Sequence, residues 1–366
     1  MKILYGVQAT GNGHISRAHA MQTALREYPD VDITWLFSGR PKEQLAGVMD
    51  DFLWRRGMTF ATSNGKVSYP RTVLTNNAFR LISDINSLDL SPFDRIIVDY
   101  EPVVAWAAKR RGRETIGIGH QYAFNYDVPR RGDNAVSLAV MKHFAPASRS
   151  FGLHWHHFGH PILPPIVDLD GHAREIPIPE KVVVYLPFED QARVVSLMRR
   201  IASHEFFVYG PGLSHRDDGN VHERPLSRHG FKADLVSAGS VICNSGFELI
   251  SECLSMGIRV LAKPLESQVE QLSNACALEH LGYAEVMDDL DPARIARWLE
   301  TGEFLQVTYP AVHTRIARWF AREQGQVEDL AGELWRDVRI HRSQRPILPD
   351  CGDANRTPAV SSLRLP

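Results

Sequence analysis

Short runs of β-branched and other apolar residues alternate with amphipathic segments along most of the chain. The apolar runs that predict strands in the first half lie near residues 2–7, 32–37, 95–99 and 114–119. Those that predict strands in the second half lie near residues 181–186, 205–209, 220–223, 240–244 and 259–263. Helical periodicity appears between them, first over residues 16–27. This alternation is typical of βαβ units with a mostly parallel sheet. The predicted fold class is therefore α/β, with two Rossmann-like, doubly wound domains.

A proline-rich segment, FGHPILPP at residues 158–165, separates the two halves. Its prolines block helix continuation and remove donors from a strand ladder, so we expect an extended linker there. A chain of 366 residues also exceeds what one hydrophobic core usually organises. We therefore predict an N-terminal domain over residues 1–160 and a C-terminal domain over residues 161–325. A helical pattern over residues 311–338 is expected to end the fold, so that residues 326–366 comprise the end of that helix and a loose tail.

The composition is that of a globular protein, with 44% hydrophobic and 23% charged residues, and it excludes a largely disordered chain. The formal net charge of −2 gives no electrostatic argument for a nucleic-acid partner. No apolar stretch approaches the ~20 residues of a membrane span, and polar, glycine-rich sequence follows the first strand too early for a signal peptide. The expected location is the cytoplasm. Basic runs at residues 109–113 and 130–131 leave peripheral contact with the inner face of the membrane as a minor alternative.

The first predicted strand leads into the first helix through Gly11, Asn12, Gly13 and His14. The two glycines allow a tight turn and the close approach of a ligand. The turn is not a dinucleotide fingerprint, because Ser16 stands at the third glycine position, and it is not a P-loop. His14 lies at the carboxyl edge of the predicted sheet, where an imidazole can act as general base toward a hydroxyl. The alternative is a histidine that only caps or packs at the turn.

Two further predicted strands end in polar residues at the same edge. One leads into Asp99 and Glu101, and the other into His120 and Gln121. Asp99 or Glu101 can orient His14, so we predict these three residues as catalytic candidates. With the two glycines of the turn, His120 and Gln121 are assigned to the side that binds the hydroxyl-bearing substrate. The alternative for each residue is capping of the helix that follows.

The C-terminal half contains a more specific pattern, a buried strand, a small-residue turn and a helix over residues 241–257. The turn consists of Asn244, Ser245, Gly246 and Phe247. Its N–H groups lie at a helix N-terminus, which favours binding of a diphosphate. Glu252, expected to face the cleft, can accept hydrogen bonds from two ribose hydroxyls. Glu248 would repel a phosphate, and we expect it to turn aside or to contact a sugar. Gln268 and Gln271 fall on one face of the next predicted helix, where they can bind sugar hydroxyls.

The segments SGFELISECLSMG (residues 245–257) and PLESQVEQLSNA (residues 264–275) resemble the donor site of the MurG-like glycosyltransferases. This family includes the transferase that adds N-acetylglucosamine to the lipid-linked peptidoglycan precursor. GNGH is similar to the family's glycine-rich loop and FGHPI to its interdomain segment, so the resemblance covers about residues 1–325. It implies a GT-B fold in which the N-terminal domain binds the acceptor and the C-terminal domain a UDP-sugar. It also implies inverting transfer without a bound metal.

The resemblance assigns roles by position: the diphosphate to Ser245 and Gly246, the ribose to Glu252, the sugar hydroxyls to Gln268 and Gln271, and the base to His14 with Asp99 orienting it. Two features depart from the family. Residues 186–190, LPFED, replace the glycine-rich loop that opens the C-terminal domain, which weakens one diphosphate contact. Residues 223–226, with Arg224, are expected at the nucleobase, but nothing in them distinguishes uracil from another base.

The predicted function is transfer of a sugar from a nucleotide-sugar, most simply a UDP-sugar, to a hydroxyl acceptor. The acceptor is a glycan, a lipid-linked molecule or a small molecule, chosen by loops at residues 62–77 and 121–133. One alternative is a nucleotide-sugar 2-epimerase of the same fold, with Glu248 or Glu101 as an extra carboxylate. Another is a non-catalytic sugar-nucleotide-binding protein, which the altered loop at 186–190 would support.

No tightly bound cofactor and no metal is predicted. The histidines at residues 154–160 have no acidic or cysteine residue near them in the sequence. The aspartate pairs at 50–51, 217–218 and 288–289 lie in polar loops, not after buried strands. The four cysteines contain no CxxC pair, so neither a disulfide framework nor a zinc site is expected.

Overall fold

The computed structural model describes residues 1–45, 47–59, 76–133, 135–169, 171–266, 268–322 and 325–349, together with the backbone of residues 62–63 and 66–67. Three predictions fall partly outside these residues. They are the acceptor loop at 62–77, the second donor segment, which contains Ser267, and the tail, of which residues 350–366 are not described.

The first unit follows the predicted alternation of strands and helices. Its elements are β1 (Lys2–Gln8), α1 (Asn12–Leu25), β2 (Asp32–Ser38), β3 (Leu53–Trp54), β4 (Thr62–Ser63), β5 (Lys66–Val67), α2 (Ala78–Ser87), β6 (Arg95–Asp99), α3 (Pro102–Arg110), β7 (Ile116–Gly119), α4 (Ala135–Phe144) and β8 (Arg149–Gly152). Short 3₁₀ helices lie at Lys42–Leu45 and His120–Asn125. Strands β4 and β5 pair only with each other among the described residues.

The first sheet has the strand order β3-β2-β1-β6-β7-β8, and its neighbouring strands are parallel. Side chains of β1 alternate between its faces, so Tyr5 packs in the cluster that includes α1 and Leu4 packs in the cluster that includes α3. Val7 of β1 is opposite Asp99 of β6. The turns that leave these two strands therefore lie side by side at the carboxyl edge.

The second unit repeats this architecture. Its elements are β9 (Ile178–Tyr185), α5 (Gln191–Met198), β10 (Glu205–Tyr209), β11 (Arg216–Asp218), β12 (Val221–Arg224), α6 (Arg228–Leu235), β13 (Ala238–Asn244), α7 (Phe247–Ser255), β14 (Arg259–Lys263), α8 (Val269–Leu281), β15 (Glu285–Val286) and α9 (Pro292–Glu300). The chain then continues through β16 (Phe304–Thr308), α10 (Val312–Ala321), α11 (Val327–Arg336) and β17 (Arg339–Ser343).

The second sheet has the order β11-β12-β10-β9-β13-β14-β15, and only the β11–β12 pair is antiparallel. From β9 the chain adds β10 and β12 on one side and β13 and β14 on the other. The direction of winding thus reverses between β9 and β13. Ligands of doubly wound sheets bind at such a point, outside the carboxyl ends of the strands.

Helix α10 crosses back from the second unit to the first. Trp319 and Phe320 pack edge-on against Phe151 of β8. Beside them, Arg322 donates to Asp30 at 2.7 Å. The two units are therefore joined by this helix as well as by the linker after β8.

The fold-class prediction is confirmed, because both units are α/β layers built on mostly parallel sheets. Each predicted strand is present. The first helix begins at Asn12, four residues before the prediction, because Gly11 takes the extended N-cap position. The helical pattern at 311–338 is two helices, with Gly325 between them. The domain limits at 160 and 325 remain predictions. Within the described ranges, no helix is long and apolar enough to cross a membrane.

Candidate active site

His14 and Asp99 meet at the carboxyl edge of the first sheet. His14 lies in the first turn of α1, and Asp99 ends the neighbouring strand β6. Nδ1 of His14 is 2.7 Å from Oδ1 of Asp99. Asp99 is fully buried, whereas the imidazole is 13% exposed. The structure therefore brings together the two residues predicted as base and orienting acid.

Arg17, one turn along α1 from His14, is a residue that the sequence reasoning missed. Its guanidinium grips Asp99 with two hydrogen bonds, Nε to Oδ2 at 2.7 Å and Nη2 to Oδ1 at 2.6 Å. Arg17 is only 2% exposed. Burial alone raises the pKa of Asp99, but the charges of Arg17 and His14 and their hydrogen bonds outweigh burial and lower it. Asp99 is therefore ionised at neutral pH.

The hydrogen bonds decide which ring nitrogen of His14 carries the proton. Nδ1 lies near both Asp99 Oδ1, which only accepts, and Arg17 Nη2, which only donates and is 2.8 Å away. Nη2 already donates to Asp99, so we assign the proton to Nδ1, which then donates to the carboxylate. This tautomer leaves the lone pair on Nε2. His14 can therefore accept a proton there.

Glu101 has a different environment, although it is only two residues after Asp99. It is the N-cap of α3 and accepts hydrogen bonds from the N–H groups of Val103 (2.8 Å) and Val104 (2.6 Å). Ser38 Oγ also donates to it at 2.6 Å. Burial outweighs these bonds and raises its pKa to about 7. These are the contacts of a helix cap, and none of them goes to His14.

Two hydrogen bonds with α8 hold the turn after β13. Ser245 Oγ donates to the carbonyl of Gln271 at 2.9 Å, and Asn274 Nδ2 donates to the carbonyl of Ser245 at 3.0 Å. Gly246 is the N-cap of α7 and gives its N-terminal N–H groups no side-chain acceptor. The start of α7 therefore has the uncapped donors and the dipole that favour an anion.

Several amide side chains surround this turn. Gln271 Oε1 accepts from the N–H of Leu265 at 3.0 Å, so this oxygen ties the loop before α8 to the helix. Gln268 is the N-cap residue of α8, and its Oε1 is buried without a hydrogen-bond partner. Asn244 Oδ1 is also buried without one. Each of these two oxygens can accept a hydrogen bond from a ligand hydroxyl.

Glu252 faces a lysine that the sequence reasoning did not pair with it. Lys232 Nζ is 2.5 Å from Glu252 Oε2, and both side chains are nearly buried. Lys232 also donates to the carbonyl of Asp168 at 3.3 Å. The carboxylate predicted to bind ribose is therefore held in place and balanced in charge.

A second missed pair joins Lys263, the last residue of β14, to Glu189 in the loop after β9. Nζ and Oε1 are 2.8 Å apart. Glu189 belongs to the segment that replaces the expected glycine-rich loop. A charged residue at the end of the buried run Val260–Lys263 was the signal that could have found it.

Arg224 ends β12, which β10 and β9 separate from β13. Its guanidinium donates to Asp217 at 2.7 Å and lies over the ring of Phe207, 5.6 Å from the centroid. Two strands thus lie between the residue predicted near the nucleobase and the turn predicted to bind the diphosphate.

The two units meet across the site. Glu248 at the start of α7 forms an ion pair with Arg17. A Cβ on Gly13 would collide with the Glu248 carboxylate, whereas a Cβ on Gly11 would meet nothing within 4 Å. Glu248 therefore reaches across to Arg17 of the first unit, next to His14 and Asp99. Whether it avoids a phosphate or contacts a sugar stays a prediction.

His120 and Gln121 also contact the second unit. The His120 ring stacks on Phe247 with centroids 4.1 Å apart and 4° between the planes. Its Nδ1 donates to the carbonyl of Leu153 at 2.8 Å, and its Nε2 is 2.6 Å from Asn274 Oδ1. Gln121 Nε2 is 3.2 Å from Glu270, and its Oε1 is buried without a partner. The side chains predicted for the acceptor side thus border the turn that is predicted to bind the diphosphate.

Several histidines at 154–160 accept hydrogen bonds from backbone N–H groups that follow them closely in the sequence. His156 Nδ1 accepts from the N–H of Phe158, and His157 Nδ1 accepts from the N–H of Gly159, each at 2.9 Å. Burial lowers the pKa of His154 well below its ordinary value. In the part of the chain that the structure describes, no three His, Cys, Asp or Glu side chains are grouped as a metal site.

An apolar groove of about 590 Å³ lies on the first unit. Helices α2, α3 and α4 line most of it through Leu81, Pro102, Trp106, Ala139, Val140, His143 and Phe144, and Met58 completes it. Exposed Phe79 and Ile82 lie on α2.

Comparison with known proteins gives one family. The model of glycosyl transferase family 1 matches residues 1–301. Among solved structures, the chain is similar to MurG from Acinetobacter baumannii, with 14% identity, a TM-score of 0.51, and coverage of 92% of this chain and 99% of that one. The glycotransferase of kitacinnamycin matches with 15% identity, a TM-score of 0.54 and coverage of 92% and 99%.

A third structure, the glycosyltransferase VinC in complex with dTDP, matches with 12% identity, a TM-score of 0.50 and coverage of 92% and 99%. At these identities the likeness concerns the fold. A search of curated protein sequences gives no match.

Proposed function

The chain belongs to glycosyl transferase family 1 and is a glycosyltransferase with the GT-B fold, and from this premise we propose that it transfers a sugar from a UDP-sugar to an acceptor hydroxyl with inversion at the anomeric carbon. The observation that carries the proposal is the contact between His14 Nδ1 and Asp99 at 2.7 Å. It directs Nε2, with its lone pair, away from the orienting carboxylate.

The proposed reaction is a single displacement. Nε2 of His14 removes the proton of the acceptor hydroxyl as its oxygen bonds to the anomeric carbon. The bond from that carbon to the diphosphate breaks, and the nucleoside diphosphate leaves with the electron pair. Asp99 stabilises the imidazolium that forms, because its carboxylate stays ionised beside Arg17.

The start of α7 supports the assignment of the diphosphate to Ser245–Phe247. The first N–H groups of a helix have no intrahelical acceptor, and here no side chain caps them. Together with the positive end of the helix dipole, they favour the charge that develops on the leaving group. Ser245 is itself fixed through Gln271 and Asn274, and the N–H of Gly246 donates to the carbonyl of Asn244 at 2.8 Å. The proposed donors to the diphosphate are therefore the N–H groups from Phe247 onward.

Glu252 is proposed to bind the ribose, and Gln268 the transferred sugar. Lys232 balances the charge of Glu252, so ribose hydroxyls can donate to this carboxylate without an unpaired charge remaining in the interior. Gln268 Oε1 and Asn244 Oδ1 are unpartnered acceptors, which suits sugar hydroxyls. Gln271 serves mainly to hold the loop through Leu265.

The nucleobase is proposed to lie at residues 223–226, beyond the end of β12. VinC was solved with dTDP, so thymine is the principal alternative to uracil. In this proposal the nucleotide-sugar is a substrate, and the enzyme needs neither a resident cofactor nor a metal ion.

The acceptor is proposed to bind on the first unit, near His14. The apolar groove between α2, α3 and α4 supports an acceptor with an apolar part, such as a lipid-linked glycan, over a small polar molecule. The protein is accordingly proposed to act in the cytoplasm, with peripheral contact at the membrane through this groove.

The contacts of two carboxylates disfavour the 2-epimerase. Glu248 and Glu101 were the candidates for its additional chemistry. Glu248 pairs with Arg17, and Glu101 caps α3. Neither carboxylate is directed at the residues proposed to bind the donor sugar.

Calorimetric titration with UDP, dTDP, ADP and GDP, each with and without Mg²⁺, tests the donor site. We expect a micromolar Kd for UDP that does not depend on Mg²⁺, and a loss of at least about tenfold in Glu252→Gln, because a neutral amide accepts weaker hydrogen bonds than a carboxylate. Glu300→Gln, at an exposed position on α9, is the matched control. Preferred binding of another nucleotide would correct the base, and absence of all nucleotide binding would overturn the donor site.

A further inference from the structure

A lysine and a glutamate form an ion pair at the carboxyl edge of the second sheet, near its central strands. Lys263 ends β14, Glu189 lies in the loop after β9, and β13 runs between those strands. Because the two side chains are 2.8 Å apart, their ion pair spans the carboxyl end of β13. Asn244 and Ser245 turn toward α7 at that end.

This pair lies where the winding of the sheet reverses, between β9 and β13. Open α/β sheets bind ligands at this position. Both side chains are nearly buried, with 7% of Lys263 and 13% of Glu189 exposed. An isolated buried ion pair adds little net stability, because the loss of hydration offsets the attraction. Stability alone therefore gives no reason for a cation here.

The neighbouring loop supplies such a reason. Residues 186–190 carry no glycine, so their side chains limit how closely a ligand can approach the backbone, and Pro187 has no N–H to donate. The ammonium of Lys263 can compensate with a full positive charge, which binds phosphate oxygens as a point charge. Helix α7 begins without a side-chain cap three residues after Asn244, the strand partner of Lys263.

We propose that Lys263 binds the diphosphate of the donor, and that Glu189 pairs with Lys263 when no donor is bound. This inference rests on the proposed function and deepens it. Donor binding then exchanges one anion for another at Nζ, and the Glu189 carboxylate moves away because it would repel the diphosphate. Glu189 is therefore an internal competitor of the substrate.

Calorimetry with three probes, uridine, UMP and UDP, tests the exchange. Lys263→Met keeps the length and apolar character of the stem but removes the charge, so we expect UDP to bind about 10- to 100-fold more weakly. Glu189→Gln removes the competitor, so we expect UDP to bind several-fold more tightly. Uridine carries no phosphate, and its affinity should be the same in all these proteins.

Lys181→Met is the matched control. Lys181 is also nearly buried on the same sheet and pairs with an acid, Asp234, at 2.9 Å, but it is four residues before the carboxyl end of β9. We expect this variant to bind UDP as the unchanged protein does. The double variant Lys263→Met/Glu189→Gln has no unpaired buried charge, and it gives the same test if a single variant does not fold.

The outcomes separate the two proposals. If the unchanged protein binds UDP and the folded Lys263 variants bind it equally well, the role of Lys263 is overturned and the donor site stands. If the Lys263 variants bound uridine and UDP more weakly by the same factor, the proposal would also be overturned, because the lysine would then maintain the shape of the site and not bind phosphate. If the unchanged protein binds no nucleotide, the proposed donor site fails, and the role of Lys263 fails with it.

Discussion

At the carboxyl edge of the first sheet, the charged side chains bond to one another. His14 contacts Asp99, and Arg17 holds both oxygens of that carboxylate. At the corresponding edge of the second sheet, Asn244 and Gln268 each have a buried oxygen without a partner. Helix α7 also begins there without a side-chain cap.

The first edge has such features too, since Gln121 Oε1 is buried without a partner and α1 begins after Gly11 without a side-chain cap. The two edges therefore differ in their charged groups: those of the first edge form one network around Asp99, whereas Lys263 and Glu189 form a single pair at the second.

The difference agrees with the separate roles proposed for the two edges. A general base must be oriented before the substrate arrives, so its partners belong to the protein. A donor brings phosphate oxygens and hydroxyls of its own, so it can supply partners for the amide oxygens of Asn244 and Gln268. Glu248 links the two edges, because it belongs to the second and bonds to Arg17 of the first.

The largest expected effect comes from removing the proposed base. His14→Ala should lower the rate of transfer by about 10³- to 10⁴-fold, because no base then remains to take the proton from the substrate hydroxyl. The Kd for UDP should not change, since the donor is assigned to the other edge. His215→Ala, at an exposed position, is the control. Substantial transfer by His14→Ala, measured as release of UDP with acceptor present, would show that the base is another group.

The next largest effect is on the stability of the fold, and it tests the contacts among His14, Arg17 and Asp99. Arg17→Met leaves the carboxylate of Asp99 buried without its main partner, which should cost about 3–5 kcal/mol in the free energy of unfolding measured in urea. Arg322→Met breaks an exposed pair with Asp30 and should have a much smaller effect, because solvent screens that pair. Equal losses in both variants would mean that Asp99 does not depend on Arg17.

Glu101 gives a pH-dependent test of the same edge. Its pKa is raised from 4.5 to about 7 by burial, so the folded protein holds this proton more tightly than the unfolded chain. The stabilisation is complete below pH 4.5 and is lost as the pH rises to 7, by about 3 kcal/mol. Glu101→Gln should lack this loss, and Glu300→Gln should retain it. Parallel pH profiles of Glu101→Gln and the unchanged protein would contradict the assignment.

The smallest effect concerns the contact that joins the two edges. Gly13→Ala places a methyl group against the Glu248 carboxylate and should weaken its bond to Arg17, at a cost of about 1 kcal/mol. Gly11→Ala, two residues away, meets open space and should lose only the small preference for glycine over alanine at an N-cap. Thermal unfolding of the two variants measures the difference. Identical midpoints would show that Glu248 moves without consequence.

Much of the fold followed from periodicity, because buried parallel strands are read as apolar runs whatever their neighbours are. The placement of His14 beside Asp99 followed from the rule that parallel strands end at one edge. Their catalytic roles remain predictions. Arg17 was within reach of the same reasoning, since it lies three residues after His14 and so on the same helix face.

Other features could not be predicted because they depend on contacts between distant elements. Glu252 and Lys232 lie on different helices, and nothing local marks them as a pair. Glu101 and Asp99 are nearly adjacent in sequence, yet the end of the strand turns one toward His14 and the other onto α3. Only the path of the backbone, with Tyr100 between them at a positive φ of 51°, separates their functions.

Helix α10 has a consequence for the exchange of parts between related enzymes. Its Trp319 and Phe320 pack on Phe151 of the first unit, and Arg322 beside them pairs with Asp30. A chimera that takes everything after the linker from another enzyme would also replace this helix, and its seam would then run through a buried aromatic contact. Recombination is better made at two crossovers, so that residues 312–322 are inherited together with β8. A new donor preference can then be grafted without disturbing the half of the protein that is proposed to receive the acceptor.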